Sequence, residues 1–375
     1  MNIIVSGGGT GGHIYPAITL IQEIKNLEPS SQFLYVGSTR GLEADIVPKE
    51  NIPFESIELS GFERHVSLKS VFQNVSRALT AIRGLDKAHT IIKKFKPNVV
   101  VGTGGYVCGP MLLEASILGV PTLIQEQNVI AGVTNKILSK FVTQISVGSE
   151  EALKNFPPEK TIYTGNPIRS EVMQATREEG IKAFGFNPNK PVILISGGSR
   201  GAKSINQAMI GVLEKYKDDH SIQFLHVTGK DDFDDVMKNL KEAGVDLQTS
   251  EHIRVEPYLY NMPVAMAMTS LAIFRAGATG IAELTARGIP AILIPYPYAA
   301  ANHQEHNAQV LVDAGAARMI LNKDLTSESL LAVLSDLLKD PTTIKKMAEA
   351  SKKLGRPNAA ENIATMILDL GRKKD

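Results

Sequence analysis

The 375-residue chain lacks tryptophan, has a single cysteine, Cys108, and has no long uninterrupted run of apolar residues. One cysteine cannot form an intramolecular disulfide or a tetrahedral thiolate zinc site, which fits a protein of a reducing compartment. A membrane-spanning helix needs about 18 consecutive apolar residues, and no run of that length occurs. Because the first strand pattern starts at residue 2, we also expect no signal peptide.

A strong excess of one charge is also missing. Lysine and arginine number 40 against 39 aspartate and glutamate residues, which gives a formal net charge of +1. This balance argues against a dedicated nucleic-acid-binding protein, which usually has a large basic excess. The hydrophobic fraction of 43% and the charged fraction of 21% are those of an ordinary globular protein, and the length predicts two domains.

Short apolar runs rich in β-branched residues alternate with helical patterns, which predicts parallel sheets in an α/β fold. Eight runs are predicted strands: NIIVSG, QFLYVGS, NVVVGTGG, PTLIQEQ, PVILISGG, IQFLHVTG, SLAIFRAG and PAILIPYP. The first and fifth both end in Ser-Gly-Gly before a helix, so we predict two Rossmann-like domains, 1–163 and 164–375, with a boundary inside FPPEKTIYTGNPIR (156–169). The pattern leaves open whether a last helix, at about 357–372, packs back on the N-terminal domain.

The first predicted strand leads into a glycine loop that ends in a histidine. Gly7, Gly9 and Gly12 match G-x-G-x-x-G, which is typical of a turn that binds an anion at a helix N-terminus, although a tight turn without ligand also fits. The helix dipole favours the neutral, proton-accepting form of His13, which makes it a candidate general base. An NADP oxidoreductase would also use this loop, with Arg40 receiving the 2′-phosphate.

Other predicted strands also end in glycines and polar residues, at the edge where open α/β sheets bind ligands. These stretches are GTGGYVCGP (102–110), QEQN (125–128), SGGSRGAKSIN (196–206), FRAGATGIAE (274–283) and NHQEHNA (302–308). We expect Glu283 on the first turn of a helix, where its carboxylate suits the hydroxyls of a ribose. His303 and His306 lack a third ligand pattern, so no metal site is predicted. The acidic run 231–235 is interpreted as a helix start.

A basic stretch runs from Arg64 to Lys96. It has eight lysines and arginines and one acid, Asp86, so its charge is 8 − 1 = +7. Apolar residues recur in it at helical spacing: Leu68, Val71, Phe72, Val75, Leu79 and Ile82. A helix packed on the sheet with a solvated basic face fits this pattern, and so does a helix on anionic lipid. Both hold at once if the apolar stripe faces the core and the cations face lipid.

Seven motifs follow one another in a specific order and spacing: GGGTGGHIYPA, GTGGYVCGP, QEQNVIAGVTN, TGNPIR, GGSRGA, RAGATGIAE and NHQEHNA. Together they resemble the MurG family, the UDP-N-acetylglucosamine:lipid I N-acetylglucosaminyltransferases of bacterial peptidoglycan synthesis. The resemblance covers nearly the whole chain. It implies the GT-B fold, in which two Rossmann-like domains face each other across a cleft. The lipid-linked acceptor would bind the N-terminal domain and the UDP-sugar mainly the C-terminal domain.

The resemblance also implies roles for individual residues. Several residues are expected to bind UDP-GlcNAc. Thr10, Gly11 and Gly12 would lie beside the reacting sugar and diphosphate, Asn128 and Gln304 would bind sugar hydroxyls, and Glu283 would bind the ribose. Arg169 and the Leu259 backbone would bind the nucleotide, and the diphosphate would be held by Ser199, Ala276, Gly277, Ala278, Thr279 and Gly280. Further polar positions of the site, with roles left open, are Tyr106, Asn135, Asn206, Arg275, His303 and Asn307. His13 is the first candidate for the catalytic base and Glu126 the second.

The implied reaction moves GlcNAc, with inversion, from UDP-GlcNAc to the C4 hydroxyl of lipid I and gives lipid II. The implied location is peripheral, on the cytoplasmic face of the bacterial cell membrane, with anionic lipid and other cell-wall enzymes as partners in wall synthesis, cell shape and division. No cofactor is expected, and stimulation by a divalent cation stays open. The alternatives are a UDP-GlcNAc 2-epimerase, an NADP oxidoreductase and a non-catalytic nucleotide-sugar-binding module. Oligomeric state and acceptor peptide preference are not predicted.

Overall fold

The computed structural model describes residues 1–58 and 83–373. The chain divides into two units, Met1–Pro167 with Asn358–Asp375, and Ile168–Pro357. Each unit is built around one parallel sheet, as the alternation of strand and helix patterns predicts. The unit boundary lies within the Pro- and Gly-containing stretch at 156–169.

The first unit contains a seven-stranded sheet with the order β3-β2-β1-β4-β5-β6-β7. Its strands are β1 (Asn2–Gly7), β2 (Gln32–Ser38), β3 (Phe54–Ile57), β4 (Val99–Gly104), β5 (Thr122–Glu126), β6 (Gln144–Val147) and β7 (Thr161–Tyr163). Its helices are α1 (Gly11–Leu27), α2 (Glu43–Ile46), α3 (83–95), α4 (Cys108–Ile117) and α5 (Val133–Leu138), with 3₁₀ turns at Val47–Glu50, Glu150–Asn155 and Pro158–Lys160. The strand order reverses between β1 and β4, which is where sheets of this kind bind ligands.

The second unit contains a six-stranded sheet with the order β10-β9-β8-β11-β12-β13. Its helices α6 (Ser170–Gln174) and α7 (Arg177–Phe184) precede the sheet. The strands and helices that follow are β8 (Val192–Ser196), α8 (Lys203–Tyr216), β9 (Gln223–Val227), α9 (Phe233–Glu242), β10 (Ile253–Glu256), α10 (Met262–Met268), β11 (Leu271–Phe274), α11 (Ala278–Arg287), β12 (Ala291–Leu293), α12 (His303–Asp313), β13 (Ala317–Met319), α13 (Ser327–Lys339) and α14 (Pro341–Leu354), with 3₁₀ turns at Ala300–Asn302 and Asn322–Asp324. The order reverses between β8 and β11.

The last helix, α15 (Ala359–Arg372), belongs to the first unit. Ile363 and Ile367 lie in the same buried cluster as Ile3 and Val5 of β1. The helix therefore covers one face of the first sheet together with α1, although the chain reaches it only after the whole second unit.

All eight predicted strands are confirmed, and they are the inner four of each sheet. The structure adds β3, β6, β7, β10 and β13 at the outer positions. The acidic run 231–235 begins α9, with Asp232 at its N-cap, as predicted. No helix among the described residues has the length and apolarity needed to cross a bilayer.

Candidate active site

In the first unit, the glycine loop joins the end of β1 to the start of α1. Thr10 is the N-cap residue of α1 and has an extended backbone, but its side chain makes no capping hydrogen bond. Its carbonyl oxygen accepts from the amide of His13. The N–H groups of Gly11 and Gly12, which have no partner inside a helix, lie at the positive end of a 17-residue helix. This end can hold the diphosphate of a ligand.

His13 is half-buried in the first turn of α1, and its ring lies against the end of β4. Its Nδ1 is 3.0 Å from Oε1 of Gln127. Gly104 has a left-handed backbone with φ of +112°, and a Cβ atom there would lie only 2.7 Å from the same Nδ1. The hydroxyl of Thr103 donates to the His13 carbonyl oxygen at 2.8 Å. The ring position therefore depends on a glycine and two polar side chains from neighbouring strand ends.

Glu43 is a buried acid that the sequence analysis did not identify as part of the first loop. Its carboxylate accepts hydrogen bonds from the Gly9 amide at 2.9 Å and from the amide and hydroxyl of Ser38 at 2.9 and 2.6 Å. A Cβ atom on Gly8 would lie 2.3 Å from this carboxylate. Burial alone would raise the pKa of Glu43, but the hydrogen bonds from Ser38 and Gly9 together lower it.

The position of Glu43 disfavours the NADP alternative. Glu43 lies in α2, and its carboxylate folds back onto the end of β2, where it accepts from Ser38. A carboxylate already occupies the Gly9 amide, which would otherwise face a dinucleotide pyrophosphate. Part of the glycine loop therefore accommodates the protein's own side chain rather than a ligand.

Glu126, the second base candidate, organises the loop that follows β5. One carboxylate oxygen accepts from the backbone amide of Asn128 at 3.0 Å and from its side-chain amide at 3.3 Å. The other accepts from the Gly132 amide at 3.0 Å and from Asn135 Nδ2 at 2.8 Å. Glu126 is 1% exposed. Because both oxygens already accept hydrogen bonds, this geometry favours a loop-organising role over proton transfer.

The predicted site residue Tyr106 and the single cysteine, Cys108, differ in exposure. Tyr106 follows the glycines of the β4 end and is 57% exposed, so its side chain is open to a ligand. Cys108 is buried, and its sulfur lies 3.0 Å from the carbonyl oxygens of Ser6 and Gly104, which share its single thiol hydrogen. Burial raises the pKa of Cys108 to about 11, so this thiol is not a nucleophile.

In the second unit, the Ser-Gly-Gly loop after β8 repeats the arrangement of the first. Ser199 is exposed, and α8 begins after Ala202 without a side-chain cap. Gly201 has φ of +78°, and a Cβ atom there would lie 2.0 Å from the Thr228 carbonyl oxygen. This glycine is therefore required for contact between two loops.

Asn206 lies behind this loop and is 2% exposed. Its Nδ2 donates to the Thr228 carbonyl oxygen at 2.9 Å and to Asp232 at 3.0 Å, and its Oδ1 is 3.0 Å from His226 Nε2. Burial lowers the pKa of His226 to about 3, so the ring is neutral and donates through Nε2. Asn206 thus connects the sheet to the loop rather than facing a ligand directly.

Arg169 and Glu283, both predicted to bind the donor, form an ion pair. The Arg169 Nε and Nη2 atoms lie 3.2 and 3.0 Å from Glu283 Oε1. Glu283 lies in the second turn of α11, which begins at Ala278, so its placement on the first turn is wrong. Burial raises the pKa of Glu283, and Arg169 offsets part of that effect. Both hydrogen bonds involve Oε1, which leaves Oε2 as the oxygen for a ribose hydroxyl.

The small residues Ala276, Gly277, Ala278, Thr279 and Gly280 form the start of α11, as predicted. Gly277 is the N-cap residue, and no side chain caps this helix end. The Ala276 carbonyl oxygen accepts from Asn307 Nδ2 at 3.3 Å, which fixes the loop against α12. Free N–H groups at the positive end of the helix suit a diphosphate.

Gln304 and His303 begin α12 directly after a strained turn. Ala301 and Asn302 both have positive φ angles, 50° and 54°, a conformation that non-glycine residues rarely adopt. Gln304 Oε1 accepts from the Tyr296 amide at 2.9 Å, so its Nε2 is the group available for a sugar hydroxyl. Such strain often occurs next to ligand-binding residues.

Arg275 is a structural clamp in this unit. Its Nη1 donates to the carbonyl oxygens of Ile294 and Pro295 at 3.2 and 3.1 Å and to Asn322 at 2.8 Å, and its Nη2 donates to Ser204 at 2.9 Å. Burial lowers its pKa. Its guanidinium fixes the loop after β12 rather than presenting a free cation.

Leu259 lies in the turn after β10, between two tyrosines that contact Lys230. The Lys230 ammonium is 5.4 Å from the Tyr258 ring centroid and 5.7 Å from that of Tyr260. Tyr260 is 83% exposed. An accessible aromatic and cationic surface therefore flanks the Leu259 backbone.

The predicted basic stretch lies largely outside the described residues, including its apolar stripe and the cations Arg64, Lys69 and Arg77. In the described part, α3 buries Ala88, Ile91 and Ile92 in the core of the first unit. The Nζ atoms of Lys87 and Lys94 each lie 3.7 Å from a carboxylate oxygen of Glu55. The described residues also contain no group of three potential metal ligands.

Sequence reasoning missed three polar residues that shape the two loops: Glu43, Gln127 and His226. Glu43 gave no signal, because it lies outside the glycine motif and far from Gly9 in sequence. Gln127 is part of the quoted stretch QEQN, and its position between two predicted site residues was the available signal. His226 lies inside the predicted strand IQFLHVTG, where a histidine on a buried strand is unusual.

Two family matches cover most of the chain. Residues 3–147 match the glycosyltransferase family 28 N-terminal domain, and residues 192–363 match the glycosyltransferase family 28 C-terminal domain. A relative from Desulforamulus reducens is 46% identical over 368 residues, which cover 98% of each chain. It is named UDP-N-acetylglucosamine–N-acetylmuramyl-(pentapeptide) pyrophosphoryl-undecaprenol N-acetylglucosamine transferase.

Two solved structures resemble the chain over almost its whole length. The MurG of Acinetobacter baumannii is 26% identical, covers 98% of this chain and 99% of its own, and has a TM-score of 0.77. A UDP-GlcNAc 2-epimerase from Neisseria meningitidis, bound to UDP-GlcNAc, is 16% identical, covers 98% and 100%, and has a TM-score of 0.67. At that identity the epimerase is evidence for the fold alone.

Proposed function

The chain belongs to glycosyltransferase family 28, and we propose that it transfers N-acetylglucosamine from UDP-GlcNAc to the C4 hydroxyl of undecaprenyl-pyrophosphoryl-MurNAc-pentapeptide, lipid I. The product would be lipid II, the disaccharide precursor of peptidoglycan. The observation that carries this proposal is the relative named for this reaction, which is 46% identical over 98% of both chains.

The donor would bind the second unit through four groups. The N-termini of α8 and α11 offer uncapped N–H groups to the diphosphate, with Ser199 beside the first. Glu283 Oε2 would accept from the ribose hydroxyls, and Arg169 would hold Glu283 in place while facing the nucleotide. Leu259 would contact the nucleotide through its backbone. Gln304 would bind hydroxyls of the sugar through its Nε2.

The reaction needs one in-line displacement, because the family resemblance implies inversion. The acceptor oxygen attacks the anomeric carbon of GlcNAc, the bond from that carbon to the diphosphate breaks, and UDP leaves. The acceptor proton passes to His13, which we propose as the general base. Positive potential at the N-termini of α8 and α11 stabilises the charge that develops on the diphosphate.

His13 is preferred to Glu126 for a geometric reason. The four donors around Glu126 come from the loop after β5 and from Asn135 of α5, and proton uptake would disrupt at least one of these hydrogen bonds. His13 has one ring nitrogen bound to Gln127 and the other available for the acceptor.

Incubation with radiolabelled UDP-GlcNAc and a lipid I analogue tests the reaction. Label should appear in the lipid fraction, and an acceptor without the C4 hydroxyl should give none. Conversion of UDP-GlcNAc to its 2-epimer without labelled lipid would instead identify an epimerase. Tight donor binding without any product would identify a non-catalytic binding module.

Replacing His13 tests the base. The variant His13→Ala should lower kcat about 10²–10⁴-fold with donor affinity within a few-fold, because a general base contributes about that much. His13→Asn should do no better, since an amide cannot take the proton. His220→Ala, at an exposed histidine of the second unit, is the matched control and should retain activity. High activity of His13→Asn would contradict the base assignment.

We also propose that the chain works at the cytoplasmic face of the bacterial membrane as a peripheral protein. On the described surface, α5 exposes Val133 and Ile137, one turn apart and 66% and 60% exposed, and Phe141 follows at 54%. Lys136 and Lys140 beside them are also exposed. An apolar surface flanked by lysines suits anionic lipid.

Vesicle sedimentation tests this location. The protein should bind vesicles containing phosphatidylglycerol more strongly than neutral ones, and salt should weaken binding. Ile137→Ser with Phe141→Ser should reduce binding, whereas Ile162→Ser, at a 43% exposed position of β7, is the control. Equal binding to neutral and anionic vesicles would contradict the electrostatic part of the proposal.

A further inference from the structure

We propose that Gln127 is a positioning residue that fixes the tautomer of His13, so that Nδ1 holds the proton and Nε2 is the proton acceptor. This inference rests on the proposed role of His13 as the base. A neutral imidazole accepts a proton only at the nitrogen that lacks one, and the partner of the other nitrogen decides which nitrogen that is.

The amide orientation of Gln127 is determined by its surroundings. Its Nε2 lies 2.7 Å from the Thr103 carbonyl oxygen and 3.0 Å from the Gln125 carbonyl oxygen. Carbonyl oxygens only accept, so this end of the amide must be the NH₂ group. The opposite amide orientation would place Oε1 against two carbonyl oxygens. Oε1 therefore faces His13 Nδ1 and can only accept from it.

Neighbouring amides make this orientation rigid. Gln125 Nε2 donates to Asn166 Oδ1 at 2.9 Å, and Asn166 Nδ2 donates to the Gln127 carbonyl oxygen at 3.0 Å. Gln125 is 0% exposed, Asn166 is 7% exposed and Gln127 is 3% exposed. Gly148 leaves room for Asn166, because a Cβ atom there would lie 2.1 Å from Oδ1. A buried and fully paired amide network of this kind keeps one arrangement.

The consequence for His13 is a tautomer opposite to the one that free histidine prefers. With Nδ1–H donating to Gln127, the lone pair of Nε2 is free for the acceptor hydroxyl. Because the partner is a neutral amide and not a carboxylate, the protonated ring gains little extra stabilisation and can release its proton after transfer. Gln127 thus orients the base without holding its proton.

Two-bond ¹H–¹⁵N correlation spectra of ¹⁵N-histidine-labelled protein report the tautomer directly. The His13 signal is assigned by its absence in His13→Asn. In the wild-type protein with a neutral His13 ring, Nδ1 should have the shift of a protonated nitrogen and Nε2 that of an unprotonated one. The reverse pattern would overturn the inference, and this measurement needs no Gln127 variant to fold.

Gln127→Met keeps the side-chain volume and removes the amide. His13 should shift toward the Nε2–H tautomer, and kcat should fall about 10- to 100-fold with the KM for UDP-GlcNAc little changed. Gln223→Met is the matched control, because Gln223 is an equally buried amide of the second unit. It should leave the His13 spectrum and kcat unchanged even if stability falls.

The double variant separates positioning from a structural role. With His13→Ala already present, Gln127→Met should cause no further loss of kcat, because there is no tautomer left to fix. A full additional loss would overturn the inference. If His13→Ala itself kept wild-type activity, the base assignment would fail, while the spectra would still decide the tautomer.

Discussion

Glu283 offers the sharpest test of the donor site, because its proposed role in binding and its effect on stability point in opposite directions. The carboxylate is 7% exposed, and its partner within the second unit is Arg169, at 3.0 Å. Burial raises the pKa of Glu283 despite this pair. Ionised Glu283 therefore lowers the free energy of unfolding. A residue that served only stability would not be expected to do so.

Removing the carboxylate should weaken binding strongly. Hydrogen bonds to a charged group contribute about 1.5–3 kcal/mol, so Glu283→Ala should raise the Kd for UDP-GlcNAc about 10- to 150-fold. Glu283→Gln keeps the shape but loses the charge, and its loss should be smaller, about 5- to 15-fold. Glu171→Gln, at an exposed position close to Arg169 in sequence, is the matched control and should bind as the wild type does.

Stability and pH dependence should follow from the raised pKa. Charge on Glu283 is less favourable in the folded state than in the unfolded state, so Glu283→Gln should not lower the melting temperature at neutral pH. Ribose hydroxyls bind the ionised form, so donor affinity should fall as the pH drops through a value above the usual 4.5 of a glutamate. This acidic loss should be absent in Glu283→Gln.

Calorimetric titration with UDP-GlcNAc at several pH values measures the donor affinity and its pH dependence. Thermal unfolding measures the melting temperature. Unchanged affinity in both Glu283 variants would remove this residue from the donor site. A large drop in melting temperature for Glu283→Gln, parallel to the loss of affinity, would refute the reasoning in another way, because the residue would then be structural.

Three further changes test the two loops. Gly104→Ala should displace the His13 ring and lower kcat at least tenfold with donor affinity retained, whereas Gly119→Ala, also at positive φ but with nothing within 4 Å of its Cβ, should keep turnover in the same assay. Glu43→Gln should make urea unfolding less dependent on pH below about 4.5, because a carboxylate with a lowered pKa stabilises the fold only while it is ionised; an unchanged acid dependence would contradict this. His226→Phe should reduce the loss of stability that occurs as the pH falls from 6.5 to 3. In the wild-type protein, His226 of the unfolded chain binds a proton in this range, whereas the buried ring of the folded protein stays neutral. Melting temperatures measured by calorimetry at the two pH limits test this.

The sequence determined the centre of each sheet. The four inner strands of each sheet are covered on both faces, so β1, β4 and β8 appear as short continuous apolar runs rich in β-branched residues. The outer strands escaped prediction because they are short and partly exposed. For example, β3 is the tetrapeptide FESI and β13 is ARM, and neither has a run to recognise.

Motif order and strand ends also predicted which loops face a ligand, because the carboxyl ends of parallel strands share one edge of the sheet. The glycines of the first loop, Ser199 and the start of α11 lie at these strand ends in the structure. Their individual roles remain proposals, since local sequence indicates which groups are present and not which of them are already paired.

Tertiary structure alone decided the pairing of polar groups. Glu43 reaches Gly9 across 34 residues, Gln127 reaches His13 across 114, and Arg169 reaches Glu283 across the same separation. No periodicity in the sequence encodes such contacts, because a side chain finds its partner only after the strands have set their order. The sequence could therefore suggest His13 as a base, but only the folded sheet brings Gln127 to one of its two ring nitrogens.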